Sequence, residues 1–344
     1  MKLFISQATR KTQTILALCA VAILIPSTLV LLGFRTLYSP IPRLQEAVIF
    51  EINQGSSLSR VASELQENGY LRFPQLWVTL ARWRGVAGAL KTGEYEIRPS
   101  LTPVKLLENM VHGDNIQYRI TLVEGWTFDQ AMAAIREGEK LRVELENRSR
   151  FDIAESLQLA TEDPEGMLFP DTYFYTKGTT DLELLRRANL KLQEVLETAW
   201  QSRLGALPYQ DAYQALIMAS IIEKESAVGS ERGHIAGVFI RRLEQGMRLQ
   251  SDPTVIYGLG KEYNGNLTRA ELGLETPYNT YRISGLPATP IALAGRQSIE
   301  ASLNPLSSDY LYFVAKGDGS HYFSSSLEEH NAAVNRYQRQ QDPQ

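Results

Sequence analysis

The segment Ala219-Ser220-Ile221-Ile222-Glu223-Lys224-Glu225-Ser226 places carboxylates in a stretch otherwise apolar enough to be the innermost helix of a domain. An ionised carboxylate is costly to bury unless it is paired or its pKa rises. General acid catalysis is one use of such a placement, because desolvation keeps a carboxyl protonated near neutral pH. At 100° per residue from Asp211 onward, Leu216, Ile217, Met218, Ala219, Ile221 and Ile222 leave almost no polar face. Glu223 then falls between Ala212, Leu216 and Ala219, the side with the smallest residues, where a groove could reach it. Glu225 projects near Gln214, Met218 and Ile221 on the opposite side, so the two cannot share one small site. The spacing alone equally allows both to be structural, with Glu223 pairing with an arginine of the Arg241-Arg242 segment and Glu225 reaching solvent.

Beyond a helical stretch from Ile235 to Leu243, the run from Gly246 to Gly258 sets Gly, Asp-Pro and Gly among polar and aromatic residues, the texture of a binding loop. Thr276-Pro277-Tyr278-Asn279-Thr280-Tyr281 and Gly285-Leu286-Pro287-Ala288-Thr289-Pro290 repeat it. Tyrosines and amides beside prolines suit stacking on, and hydrogen bonding to, sugar rings; ordinary turn chemistry would use the same residues.

At these residues the chain resembles the YceG-like family of endolytic murein transglycosylases. The matching stretches are Glu165 to Tyr173, Ser220 to Glu225, Leu249 to Gly258, Tyr278 to Tyr281, Gly285-Leu286-Pro287 and Tyr310 to Ala315, followed by His321, Phe323 and Glu329-His330-Asn331. They follow the family's order and cover essentially the whole chain beyond the apolar N-terminal run. Thr289 stands where the family usually has Gly, and Leu293-Ala294-Gly295 where it usually has a proline before the Gly, departures that touch only loop geometry. The resemblance implies Glu223 as the catalytic glutamate, with Asp171, Tyr173, Gln250, Asp252, Thr254, Tyr257, Tyr278, Asn279 and Tyr281 binding substrate. It implies no cofactor. The partners it implies are peptidoglycan glycan strands and the peptidoglycan synthases working beside them.

Two mechanisms divide glycan cleavage. A glycosidase needs two carboxylates flanking the bond, roughly 5 to 9.5 Å apart. A lytic transglycosylase needs one acid, which protonates the leaving oxygen and then, as carboxylate, takes the proton of the muramic acid 6-hydroxyl. The expected reaction is endolytic cleavage of the MurNAc-GlcNAc bond in nascent strands, leaving 1,6-anhydro-MurNAc ends and terminating elongation, with Glu223 as acid then base. The alternatives are a muramidase-type hydrolase pairing Glu223 with Asp252, Asp171 being the other candidate carboxylate, and a non-catalytic wall-binding scaffold. Other chemistries are poorly served. The four histidines show no His-Glu-x-x-His spacing, Cys19 is the sole thiol, and neither a Gly-x-Ser-x-Gly elbow, a Ser-x-x-Lys pair nor a phosphate loop occurs, so no metal is expected.

The chain has 344 residues, 44% hydrophobic and 22% charged, enough for two domains with real cores. A net charge of −4 gives no general basic footprint for nucleic acid. Ile15 to Phe34 is uncharged and about the 20 residues a helix needs to cross a bilayer. It is long for a signal-peptide core and lacks an Ala-x-Ala-like end before Arg35. As a lipoprotein signal it fails too, because Leu18 is too large to precede a lipidated Cys19. Lys2, Arg10 and Lys11 ahead of it, against Arg35 and Arg43 behind, favour an N-terminus in the cytoplasm. The expectation is therefore a single-pass protein of the cytoplasmic (inner) membrane with its catalytic domain in the periplasm.

The expected fold class is α+β: a cytoplasmic stub (1–14), a transmembrane helix (15–34), a linker (35–46), a LysM-like glycan-binding module (47–118) and a YceG-like catalytic domain (119–344). The module is expected from a strand over Ala47 to Ile52, a helix capped by Ser56 or Ser57, a second helix from Phe73 to Arg84, and a strand at Gly93 to Ile97. Thr102-Pro103 opens a further helix that stops at Gly113. Tyr118 to Gly138 echoes Val48 to Gly69. In the catalytic domain, Asp181 to Arg203 predicts a long amphipathic helix, Tyr310 to Ala315 and His321 to Ser324 a hairpin, and Glu328 to Arg339 a closing helix. His321 and His330 are expected in the core or the hairpin, not in catalysis.

Overall fold

The structure is a computed structural model that describes residues 2–41, 44–226 and 228–339. The fold is α+β. The described strands form three two-stranded antiparallel sheets among many helices, and the chain divides into two compact units. One unit runs to Gln117 and takes in Thr176–Gly178; the other comprises Tyr118–Tyr175 and the chain from Thr179 onward.

The first unit begins with α1 (Lys2–Tyr38), which continues through Pro26 and holds an apolar span, Leu18–Tyr38, of mean hydropathy 2.1. By length and composition this span could cross a membrane. It extends past Arg35 into the stretch read from sequence as linker. No Gly or Pro interrupts Arg35 to Tyr38, and the Thr36 hydroxyl donates back to the Leu32 carbonyl. β1 (Val48–Ile52), α2 (Leu58–Glu67), α3 (Pro74–Trp83) and β2 (Gly93–Ile97) follow, with β1 and β2 paired from Val48↔Ile97 to Ile52↔Gly93. Alternate inward residues Phe50, Ile52, Tyr95 and Ile97 meet Val61, Leu65 and Trp77 in one core, which α4 (Pro103–His112) closes with Leu106, Leu107 and Met110. Local chemistry explains the ends of these elements. Ser57 accepts the Arg60 N–H to cap α2, Thr102 caps α4 ahead of Pro103, and Gly113 ends α4 at φ 81°, a conformation a side chain would resist.

The second unit repeats the order strand, helix, helix, antiparallel strand. β3 (Tyr118–Thr121), α5 (Phe128–Arg136) and α6 (Arg150–Ser156) lead to β4 (Thr172–Tyr175), which pairs with β3 from Tyr118↔Tyr175 to Thr121↔Thr172. α7 (Asp181–Gln201) starts with a reciprocal cap between Thr180 and Glu183. Its apolar stripe contributes to two adjoining cores, Leu184, Leu185 and Ala188 to one and Leu192 and Val195 to the other.

At the centre of the second core lies α8 (Ala212–Glu225), with every residue from Ala215 to Ile222 buried. It is surrounded by α9 (Arg232–Glu244), α10 (Asp252–Leu259) and, after the short α11 (Arg269–Leu272), by α12 (Arg296–Leu303). The hairpin β5 (Tyr312–Ala315) and β6 (His321–Ser324) and then α13 (Leu327–Val334) complete the described unit. The run read from sequence as a loop up to Gly258 is helical from Asp252 onward. Pro253 occupies the first turn, where it costs no hydrogen bond and its ring pre-sets φ.

Candidate active site

The last turn of α8 sends its two glutamates in opposite directions, and their surroundings differ in kind. Glu223 Oε1 lies 2.9 Å from Arg232 Nη2, and its Oε2 accepts the Gly295 N–H at 2.9 Å. Its side chain is only 5% exposed and that of Arg232 8%. One turn earlier, the Ser220 hydroxyl accepts the Ile291 N–H, so segment 291–295 lies along this face. The small residues that suggested a groove beside Glu223 instead admit close-packed backbone. The catalytic role expected for Glu223 therefore meets a closed ion pair. Glu124, half exposed, sits 3.9 Å from the same guanidinium, and partial burial, reinforced by the Glu223 anion, raises its carboxyl pKa. Sequence reasoning missed Glu124 and Arg232, and paired Glu223 with the wrong arginines.

Glu225, on the other side, lines a cavity of about 530 Å³ and does not simply reach solvent. Arg242 of α9, Gln250, Asp252 of α10 and Tyr281 share the wall with it, and Tyr312, His321, His330 and Asn331 from the hairpin and α13 face them. The Ser251 hydroxyl donates a hydrogen bond to Glu225 Oε1. Burial is the largest influence on Glu225 and pushes its carboxyl up to about 7; the Ser251 bond opposes this, the Asp252 charge adds to it and Arg242 subtracts. Glu225 is also the last residue of α8, where the negative end of the helix dipole disfavours an anion.

Arg242, unnoticed as a cavity residue in the sequence, is pinned by backbone. Its Nε donates to the Leu311 carbonyl at 2.7 Å and its Nη1 to that of Leu249 at 2.8 Å, while the guanidinium lies 5.1 Å from the Tyr312 ring centre. Desolvation lowers its pKa. Its guanidinium is thus held by carbonyls, and Glu225 has no direct ionic partner among the described residues. His330 stacks on Tyr312 with ring centres 5.2 Å apart, and its Nδ1 is buried with no hydrogen-bond partner among the described residues. Burial, and then Arg242, lower its pKa. His321 Nδ1 lies 2.7 Å from Glu231 Oε2.

The nine residues expected to bind substrate divide into three groups. Gln250, Asp252 and Tyr281 line the Glu225 cavity, with the Tyr281 hydroxyl donating to Asp252 Oδ1 at 2.6 Å. Thr254 and Asn279 are buried beneath that wall. Thr254 donates to the Ser251 carbonyl and shares a hydrogen bond with the Thr280 hydroxyl, which in turn accepts the Ser251 N–H, so the threonines fix the serine that touches Glu225. Asn279 Nδ2 donates to the Leu272 and Leu274 carbonyls and its Oδ1 accepts the Tyr281 N–H.

The third group lies outside the cavity. Tyr257 donates to Glu165 at 2.9 Å and packs edge-on against Tyr278, whose hydroxyl meets that of Thr289. The Tyr173 hydroxyl donates to the Phe169 carbonyl, and exposed Asp171 accepts the Thr172 N–H. Tyr257 thus belongs to a separate buried cluster in which fully buried Glu165 also meets Arg150 Nη2 and the Phe128 N–H, each at 2.8 Å. Desolvation raises the Glu165 pKa against these partners. Among the described residues no group of three or more His, Cys, Asp or Glu side chains is placed to hold a metal ion.

Known proteins share this chain along most of its length. The chain is 32% identical over 321 residues to an endolytic murein transglycosylase of Bacillus subtilis, covering 88% of each chain. It is 27% identical over 321 residues to one of Streptococcus pneumoniae, covering 82% of this chain but 57% of that longer protein. A crystal structure of a yceG-like protein from Listeria monocytogenes is similar with a TM-score of 0.51 at 31% identity, covering 83% of this chain and 99% of the other. The model of the YceG-like family matches residues 50–336, from β1 to the π-helical turn after α13, and the chain belongs to that family.

Proposed function

We propose that this protein is an endolytic murein transglycosylase whose general acid is Glu225. The observation that carries the assignment is a carboxyl with a pKa pushed to about 7, open to a cavity of about 530 Å³ and with no ion pair among the described residues. An acid poised near the working pH is the most effective proton donor. Protonated Glu225 gives its proton to the glycosidic oxygen between MurNAc and GlcNAc, and the bond from that oxygen to MurNAc C1 breaks. The MurNAc 6-hydroxyl oxygen then bonds to C1 while Glu225, now a carboxylate, takes the hydroxyl proton. The product is a 1,6-anhydro end, water is not consumed, and the acid is regenerated. Tyr281, Gln250 and the Tyr312-His330 stack supply polar edges and ring faces around the sugars. Asp252, hydrogen-bonded to Tyr281, acts through its charge, which helps keep Glu225 protonated. Glu223 braces the end of α8 against Arg232.

The remaining parts of the reading follow the chain. α1 anchors the protein in the cytoplasmic membrane, with the basic N-terminal residues on the cytoplasmic side and the catalytic unit in the periplasm. The strand-helix-helix-strand arrangement of residues 47–118 supports a LysM-like, glycan-holding role, and residues 119–344 carry the catalysis. Its action on nascent strands would place it beside the peptidoglycan synthases.

A second reading, hydrolysis by a Glu225–Asp252 pair, is favoured by one observation: both carboxylates line the same cavity. Mass spectrometry of digested glycan decides among these. The proposal expects anhydro ends from the wild type, their loss in Glu225→Gln by about 10²- to 10⁴-fold, and their retention in Glu223→Gln measured per folded molecule. Reducing ends would establish hydrolysis. Loss confined to Glu223→Gln would return the acid to that residue.

A further inference from the structure

Helix α3 carries two apolar faces where a helix of a small soluble domain has one. Pro74, Trp77 and Ala81 face the core of the first unit. Leu76, Leu80 and Trp83, spaced i, i+4 and i+7, form a second face, with Leu76 40% and Trp83 83% exposed. This second face looks onto α1. A Cβ at Gly33 would lie 3.8 Å from Leu76 Cδ1, and an apolar groove of about 490 Å³ runs between Leu29, Gly33 and Tyr38 on one side and Leu76, Leu80 and Trp83 on the other. The end of α1 is fastened there, because Leu37 packs on the unit's core and the buried Ile41 donates its N–H to the Leu101 carbonyl.

We propose that the outer face of α3 is seated in the headgroup layer of an anionic phospholipid membrane, the bilayer that α1 crosses. The proposal rests on α1 spanning that bilayer. The span Leu18–Tyr38 is about 30 Å long at 1.5 Å per residue, the thickness of the hydrocarbon core. Gly33, beside Leu76, is then within about 8 Å of its end, the depth at which an interfacial helix buries its apolar side. Aromatic residues mark the level: Phe34 stacks on Tyr38 with ring centres 4.2 Å apart, and Phe73 and Trp83 are exposed. Charge fits as well. From Asn68 to Gly93 the chain has Arg72, Arg82, Arg84 and Lys91 and no acidic residue, although the protein as a whole is acidic. The acyl boundary accepts the apolar side chains of this face and lipid phosphates accept Arg72 and Arg82, whereas Arg84 pairs with Glu108 at 3.1 Å.

Tryptophan emission tests the proposal, because α1 contains no tryptophan. The full chain is reconstituted into vesicles of equal parts phosphatidylcholine and phosphatidylglycerol whose acyl chains are brominated near the headgroup. Flotation first shows whether the chain is held by the bilayer. Quenching of the floated protein is expected, with most of it lost in Trp83→Phe and weakened in the double variant Arg72→Glu, Arg82→Glu. A floated protein without quenching, or with quenching that Trp83→Phe leaves unchanged, would overturn the seating of α3 while sparing the anchor. A dimeric floated protein with unquenched Trp83 would assign the face to a second copy. Failure to float would overturn both readings.

Discussion

Replacing Glu225 by Gln should change the pH dependence of stability in a way that identifies the group. A rise from the ordinary 4.5 to about 7 means the native state holds this proton more tightly than the unfolded chain. The stabilisation is fully present below the unfolded pKa and is lost as pH rises through the folded one. Between pH 5 and pH 8 the wild type should therefore lose about 2 to 3 kcal/mol through Glu225 alone, integrating the linkage relation over that window. Glu225→Gln cannot titrate and should not lose it. For a unit of this size that corresponds to roughly 5 to 10 °C in melting temperature. Thermal melts of both proteins at the two pH values measure the difference between them, in which the titration of groups remote from Glu225 cancels. Activity of the wild type should fall over the same range, since the acid must be protonated. A melting difference independent of pH would refute the reasoning, because it would mean that Glu225 titrates as an ordinary surface carboxylate.

Three other substitutions probe the neighbouring chemistry. Glu223→Gln leaves Arg232 buried opposite a neutral side chain and should lower stability by about 3 to 5 kcal/mol in denaturant titration, with turnover per folded molecule nearly intact. Asp252→Asn removes a charge that holds the Glu225 proton, so the pH at which turnover falls should move down, whereas a two-carboxylate hydrolase would lose turnover at every pH. Gly166→Ala should destabilise by about 2 kcal/mol or more in thermal melts, since φ is 71° and the new Cβ would lie 2.3 Å from Pro290 Cβ.

What could be read in the chain was local. Thr102-Pro103 with Gly113, the long amphipathic run from Asp181, and the paired hydrophobic runs of Tyr310 to Ala315 and His321 to Ser324 each carry their own local signal, and the α4, α7 and β5–β6 elements lie where it puts them. The apolar span was legible for the same reason, and so were the motifs that carry the family resemblance. Asp252-Pro253 was ambiguous, because the same pair opens a turn or the first turn of a helix, and burial of Thr254 and Val255 decides for the helix. The choice between Glu223 and Glu225 was beyond local reading. Helical periodicity sets the two carboxylates on opposite sides of α8 but says nothing of what packs against each side. Gly295 and Arg232 close one side, while Gln250, Arg242, Tyr312 and His330, drawn from segments as much as about 100 residues away, build the cavity on the other. A carboxyl's pKa is set by what surrounds it in space, so the difference between the two glutamates on which the proposed acid rests arises only in the tertiary structure.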